Sequence, residues 1–251
     1  MAGRERRHSA ALGAAVAAAL VAAGCAPLGS AQRPRPVLLT AAIATADTRA
    51  DRVGVLLLDD GAGRVCTASV VDSPGRDLLV TAAHCVTDAD GAPLTGLAFA
   101  PGYRDGAAPL GSWPVDRVVV DQHWSTGSDP EYDVAFLVTE PVAGKRIEDA
   151  VGGNPLGVNR GFGLPVTVTG YPNDHDQPIT CSARTSAQSA TQEEFDCGGF
   201  SDGTSGSPWL TPDGALVGVI GGYQQGGDSP DVSYSVSFDD RVSALYQEAT
   251  A

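Results

Sequence analysis

Short apolar runs recur along the chain from residue 53 onward: Val53–Leu58, Val65–Val71, Leu78–Thr81, Val115–Val120, Val134–Val138, Val166–Thr169, Ile179–Ala183, Leu216–Ile220 and Val232–Phe238. Many are rich in valine, whose branched Cβ suits an extended backbone. Turn formers bound them, as in Asp59-Asp60-Gly61 and Thr211-Pro212-Asp213-Gly214. Many short strands joined by tight turns predict an all-β sandwich or barrel. One helix is predicted, at the C-terminal end. There Asp239-Asp240 supply an N-cap region, and Val242, Leu245 and Tyr246 follow at helical spacing. The pattern lacks the long amphipathic helices between strands that an α/β fold requires. Residues 32–50 contain Pro, Ala and Thr without a period and read as a linker or a short pro-segment.

Composition narrows the class. A chain of 251 residues suffices for one large all-β domain or two small ones. With 43% hydrophobic and 18% charged residues it is globular rather than disordered. The net charge is −14, and Lys145 is the single lysine. Nucleic acid is therefore not an expected partner, because binding phosphates takes a basic face. The acidity is read as serving solubility.

Residues 1–31 read as an export signal. Arg4, Arg6 and Arg7 precede an apolar run, Ala10–Ala23, that is short for a bilayer span, and Gly29-Ser30-Ala31 offers a cleavage site. A second reading is a lipoprotein signal: Ala22-Ala23-Gly24 stand directly before Cys25, with alanine three before it where leucine is usual. Both imply export. The protein is expected to be secreted, or to be a cell-surface lipoprotein tethered to the membrane only if Cys25 is lipidated. Of the five cysteines, Cys25 is either removed or acylated. Cys66, Cys85, Cys181 and Cys197 can pair in three ways. No Cys-x-x-Cys occurs, so no metal is implied.

Three strings carry chemistry, in the order His, Asp, Ser: Thr81-Ala82-Ala83-His84-Cys85, Tyr132-Asp133-Val134-Ala135-Phe136-Leu137 and Asp202-Gly203-Thr204-Ser205-Gly206-Ser207-Pro208. A serine hydroxyl is a weak nucleophile until an imidazole takes its proton. That imidazole needs a carboxylate to fix its tautomer and stabilise its cation. A glycine two residues before the serine lets two N–H groups face one point, where an oxyanion can sit. Taken alone, the Ser205 string is also compatible with a Gly/Ser surface turn. Asp133, unlike Asp129 and Glu131, heads an apolar run. His8, His123 and His175 lack such neighbours.

Together the three strings resemble the chymotrypsin-like (trypsin-like) serine proteases, in their bacterial secreted branch. The resemblance runs from about residue 53 to the terminal helix. It implies two six-stranded antiparallel β-barrels, about 51–152 and 153–251, with a crossover near Gly152-Gly153-Asn154-Pro155 and a C-terminal helix. It also implies catalysis by His84, Asp133 and Ser205, with an oxyanion hole from the N–H groups of Gly203 and Ser205. No cofactor or metal is implied. Cys66-Thr67-Ala68-Ser69 matches the strand that the family bridges to the cysteine beside the histidine. This favours Cys66–Cys85 and leaves Cys181–Cys197. The expected activity is that of a monomeric serine endopeptidase acting on proteins or peptides. Alternatives are an esterase with the same triad, or a catalytically silent relative that binds a partner.

The chain also departs from the family. Thr204 stands where animal digestive enzymes have the aspartate that pairs with a new amino terminus, so no activation by that ion pair is expected. Gly199 occupies the place of the trypsin-type pocket aspartate, Asp202 is read as capping a turn, and residue preference is not legible. Gly221, Gly222 and Tyr223, after the strand Leu216–Ile220, are expected to form the pocket wall and pair with an extended substrate.

Overall fold

The computed structural model describes residues 39–58 and 63–251. The expected export signal 1–31, with Cys25, and residues 32–38 of the expected linker lie outside the described residues. All nine apolar runs fall on strands. The first strand, β1 (Ala42–Ile43), lies inside the stretch read as a linker. Then come β2 (Val53–Leu58), β3 (Gly63–Val71), β4 (Leu78–Thr81), β5 (Leu97–Pro101) and β6 (Trp113–Val120). A short helix α1 (Gln122–Gly127), β7 (Ala135–Thr139) and a second short helix α2 (Ile147–Val151) follow.

Strands β2 to β7 close into a six-stranded antiparallel barrel in the order β2-β3-β4-β7-β6-β5. Closure is made by β5 pairing back onto β2, from Gly54 opposite Pro101 to Leu58 opposite Leu97. Leu56, Val70, Leu79, Phe99 and Leu137 fill the interior. Strand β4 is buried at every position because both of its faces are covered. Leu79 points into the barrel, while Leu78 and Val80 pack outside it with Phe136, Phe238 and Leu245.

The second half holds β8 (Pro165–Gly170), β9 (Ile179–Arg184), β10 (Ser186–Ala187), β11 (Gln192–Asp196), β12 (Pro208–Leu210), β13 (Leu216–Val219) and β14 (Val232–Val236). These do not form a second closed ladder among the described residues. They make a five-stranded sheet, β1-β9-β8-β12-β13, and a three-stranded one, β10-β11-β14. Strands β12 and β13 are short, and a register shift after Trp209 interrupts their pairing. The sheets meet over Phe195 and Trp209, whose ring centroids are 5.6 Å apart. The Gly221 N–H bonds across to the Tyr234 carbonyl at 2.9 Å.

The crossover is fastened to the first barrel. The Asn154 N–H bonds the Val70 carbonyl at 3.0 Å and its side-chain amide bonds Ser69 Oγ at 2.8 Å. The expected terminal helix is α3 (Asp240–Ala249), capped by the Asp239 side chain. It buries Val242 and Leu245 against the outside of the first barrel. Helices α1 and α2 were not expected: six and five residues are too few to display a helical period.

Candidate active site

His84 stands where β4 leaves the barrel. Ala82 is still extended, and Ala83–Cys85 then form a single 3-10 turn. Ala82 and Ala83 are fully buried, which is why this turn takes small residues. The Cys66–Cys85 disulfide ties the turn to β3, with Cα atoms 6.0 Å apart. Cys181 and Cys197 form the second bridge.

Asp133 lies between a 3-10 turn, Pro130–Tyr132, and β7, and is fully buried. Its carboxylate accepts three hydrogen bonds. Two come from His84, through the backbone N–H at 2.9 Å and Nδ1 at 2.8 Å. The third comes from the Gly222 N–H at 2.8 Å. A carboxylate only accepts, so Nδ1 carries a proton, and in the neutral imidazole Nε2 is the acceptor. His123 and His175 also meet aspartates, Asp121 and Asp174, each at 2.8 Å. Those pairs are largely solvent-exposed, where such contacts contribute little.

Ser205 reaches the same place from the second half. Its carbonyl accepts the Thr67 N–H of β3 at 2.9 Å, and the next N–H, of Gly206, bonds the Ile220 carbonyl at 2.7 Å. Gly206 has φ +81°, and a Cβ there would collide with Thr81 Oγ1 and the Thr67 carbonyl, so only glycine fits. No hydrogen bond joins Ser205 Oγ to His84 among the described residues, but both line one cleft of about 960 Å³. Catalytic hydrogen bonds are often long without substrate.

The turn before Ser205 alternates used and free donors. The Thr204 N–H bonds the Ser201 carbonyl at 3.1 Å. Those of Gly203 and Ser205 have no partner among the described residues. Each is aimed by the carbonyl of its own peptide unit, because N–H and C=O point oppositely across a trans peptide. The Asp202 carbonyl accepts the Asn173 N–H at 2.7 Å, and the Thr204 carbonyl accepts Ser207 Oγ at 2.6 Å. A pair of free, aimed N–H groups beside a serine, a buried His–Asp pair and a cleft can perform acyl transfer.

Residues 66–219 match the family model of the trypsin-like peptidase domain, which covers more than half of the chain. The chain belongs to the trypsin-like peptidase family. It is a serine-type peptidase. Its fold is similar to that of the protease Anisep from Arthrobacter nicotinovorans, at 24% identity and a TM-score of 0.72, over 82% of this chain and 98% of that one. It is also similar to the thermostable serine protease AL20 from an extremophilic microorganism, at 24% identity and a TM-score of 0.72, over 81% and 99%. A Glu endopeptidase matches at 19% identity and a TM-score of 0.69, over 84% and 97%. No curated protein matches the sequence.

The N–H groups of Gly221, Gly222 and Tyr223 bond the Tyr234 carbonyl, the Asp133 carboxylate and Gln192 Oε1, and the Tyr223 side chain is exposed. Ile220 before them and Gln224–Pro230 after them line the cleft. Sequence reading also missed Gln192. Buried on β11, it accepts from the Tyr223 N–H at 3.1 Å and donates to the Pro130 carbonyl at 3.1 Å. It thus links Tyr223 to the turn that precedes Asp133. Nothing in its charged surroundings, Gln192-Glu193-Glu194, points to such a role. Asp174 and Asp202 also line the cleft, as does Asp228. The His175 imidazole bonded to Asp174 holds that carboxyl below its ordinary range. Donor atoms of Cys66, His84 and Cys85 lie within 4.8 Å of one another. Both sulfurs are joined in the disulfide, and a metal takes a thiolate.

Proposed function

We propose that this peptidase is a secreted serine endopeptidase working through His84, Asp133 and Ser205, with Gly203 and Ser205 as the oxyanion hole. One observation carries the reading: the buried Asp133 carboxylate holds His84 Nδ1, and His84 and Ser205 line one cleft beside a turn whose Gly203 and Ser205 N–H groups are free. Ser205 Oγ attacks the peptide carbonyl carbon as His84 Nε2 takes its proton. The carbonyl oxygen becomes the oxyanion that the two N–H groups hold. His84 returns the proton to the leaving amine as the C–N bond breaks, giving an acyl-enzyme. Water, deprotonated by His84, then releases the acid.

In this reading the two sheets of the second half together stand for the second six-stranded barrel. The substrate backbone runs along Ile220 and Gln224–Gly227. The Gly222 N–H supports the Asp133 carboxylate. The two disulfides favour an oxidising compartment and hence export.

The test is labelling of the folded protein with a fluorophosphonate, beside Ser205→Ala and Asp133→Asn. Ser205→Ala is expected to abolish labelling. Asp133→Asn is expected to fold and lose about 10⁴ in turnover, the loss seen when a triad aspartate is amidated in this family. Ester turnover without peptide cleavage would instead identify an esterase. An unlabelled, folded protein would identify a silent relative.

A further inference from the structure

We infer that Thr67, a buried threonine of the first barrel, is a positioning residue that aims the oxyanion-binding turn of the second half. The inference rests on the endopeptidase reading above. Thr67 is fully buried on β3, one residue after the bridged Cys66. It makes three bonds into the other half. Its N–H donates to the Ser205 carbonyl at 2.9 Å, its Oγ1 donates to the Gly203 carbonyl at 2.9 Å, and its Oγ1 accepts the Tyr171 N–H at 3.0 Å. The Tyr171 contact is N–H to oxygen, so the single hydroxyl proton is free to go to Gly203 and nowhere else. A β-branched side chain is stiff at χ1. The Thr67 carbonyl is itself held by Thr81 Oγ1 at 2.8 Å.

Gly203 is where such a hold matters. Its φ is +96°, and without a Cβ the peptides on either side of it turn easily. The Asp202 carbonyl on one side is held by the Asn173 N–H and the Gly203 carbonyl on the other by Thr67. The free Gly203 N–H thus lies between two fixed carbonyls. Removing the hydroxyl leaves a buried carbonyl and a buried N–H unpaired, and rotation of the 203–204 peptide is how the carbonyl regains a partner. Thr67 touches no substrate. Its effect passes through Gly203.

The experiment compares Thr67→Val, Thr67→Ser and Thr139→Val with the wild type. Thr139→Val removes a buried hydroxyl bonded to the Asp77 carbonyl elsewhere in the same barrel. Fluorophosphonate labelling rate, p-nitrophenyl acetate kinetics and hydrogen exchange of the Thr204 amide are read for each. In Thr67→Val, labelling and kcat are expected to fall about tenfold to a hundredfold with KM little changed, a part of what losing an oxyanion donor costs. Protection of the Thr204 amide falls with them. Thr67→Ser restores most of both, and Thr139→Val leaves both in place. Should Thr67→Val not fold, Thr67→Ala gives the same reading. Wild-type labelling in a folded valine or alanine variant overturns the inference, as does a loss confined to KM. If the wild type itself does not label, the endopeptidase reading fails. The Thr204 amide then still decides, and unchanged protection in Thr67→Val overturns the inference.

Discussion

Two buried acids differ in their partners. The Asp133 carboxylate accepts three hydrogen bonds. Glu193, 2% exposed on β11, has a buried Oε2 with no partner among the described residues. Burial pushes its carboxyl from 4.5 up to about 7, against the opposing hydrogen bond from Thr185. Between these values the native state binds more protons than the unfolded chain. Stability therefore falls as pH rises through that window, with a slope approaching about 1.4 kcal/mol per pH unit, and stays lower above it. Thermal melts from pH 5 to 8 are expected to show Glu193→Gln gaining on the wild type as pH rises. Parallel curves would assign the titration elsewhere. The triad candidates were legible at this scale because each stands in a distinctive string. Gln192 and Thr67 were not, since each acts through neighbours that only folding supplies.

Among elements, nine apolar runs were readable, whereas the apolar β5, Leu97–Pro101, and the polar β11 were not. Strand β11 is written Gln-Glu-Glu-Phe-Asp, yet it is the central strand of its sheet, between β10 and β14. Its buried polar residues bond loops and hydroxyls that no periodicity encodes. Strand β12 begins with a proline directly after the Ser205 turn and shows only three residues of pattern. The disulfides divide labour between elements. Cys66–Cys85 spans 19 residues and fastens the His84 turn, whereas Cys181–Cys197 spans 16 and links β9 to the end of β11. Alanine pairs at either bridge are expected to cost about 3 kcal/mol in urea unfolding. Turnover under native conditions should suffer far more at Cys66/Cys85. Equal losses of turnover would mean that the His84 turn holds without its bridge.

For the whole molecule, charge is the property with a consequence. The net charge is −14, and the cleft is lined by Asp174, Asp202 and Asp228, with no lysine or arginine among its lining residues. A cleft of one sign concentrates ligands of the other. Peptides carrying Arg or Lys are expected to show higher kcat/KM than matched peptides carrying Asp or Glu. The ratio should shrink as salt rises from about 0.05 to 0.5 M, where the screening length drops well below about 10 Å. A ratio that ignores salt would place the preference in a contact pocket rather than in the field.

What the sequence by itself determined is local. Valine-rich runs between turn formers make strands, Asp239 starts the last helix, and the order His, Asp, Ser marks candidate reacting groups. These are set by neighbours a few positions away, through backbone sterics and side-chain period. Tertiary structure alone decided the rest. It closed six strands into one barrel and left the other half as two sheets. It joined the Gly222 N–H to the Asp133 carboxylate, 89 residues away. It brought Thr67 to a carbonyl 136 residues later. Which carbonyl meets which donor across such a separation depends on how two halves pack, and no stretch of chain contains that information alone.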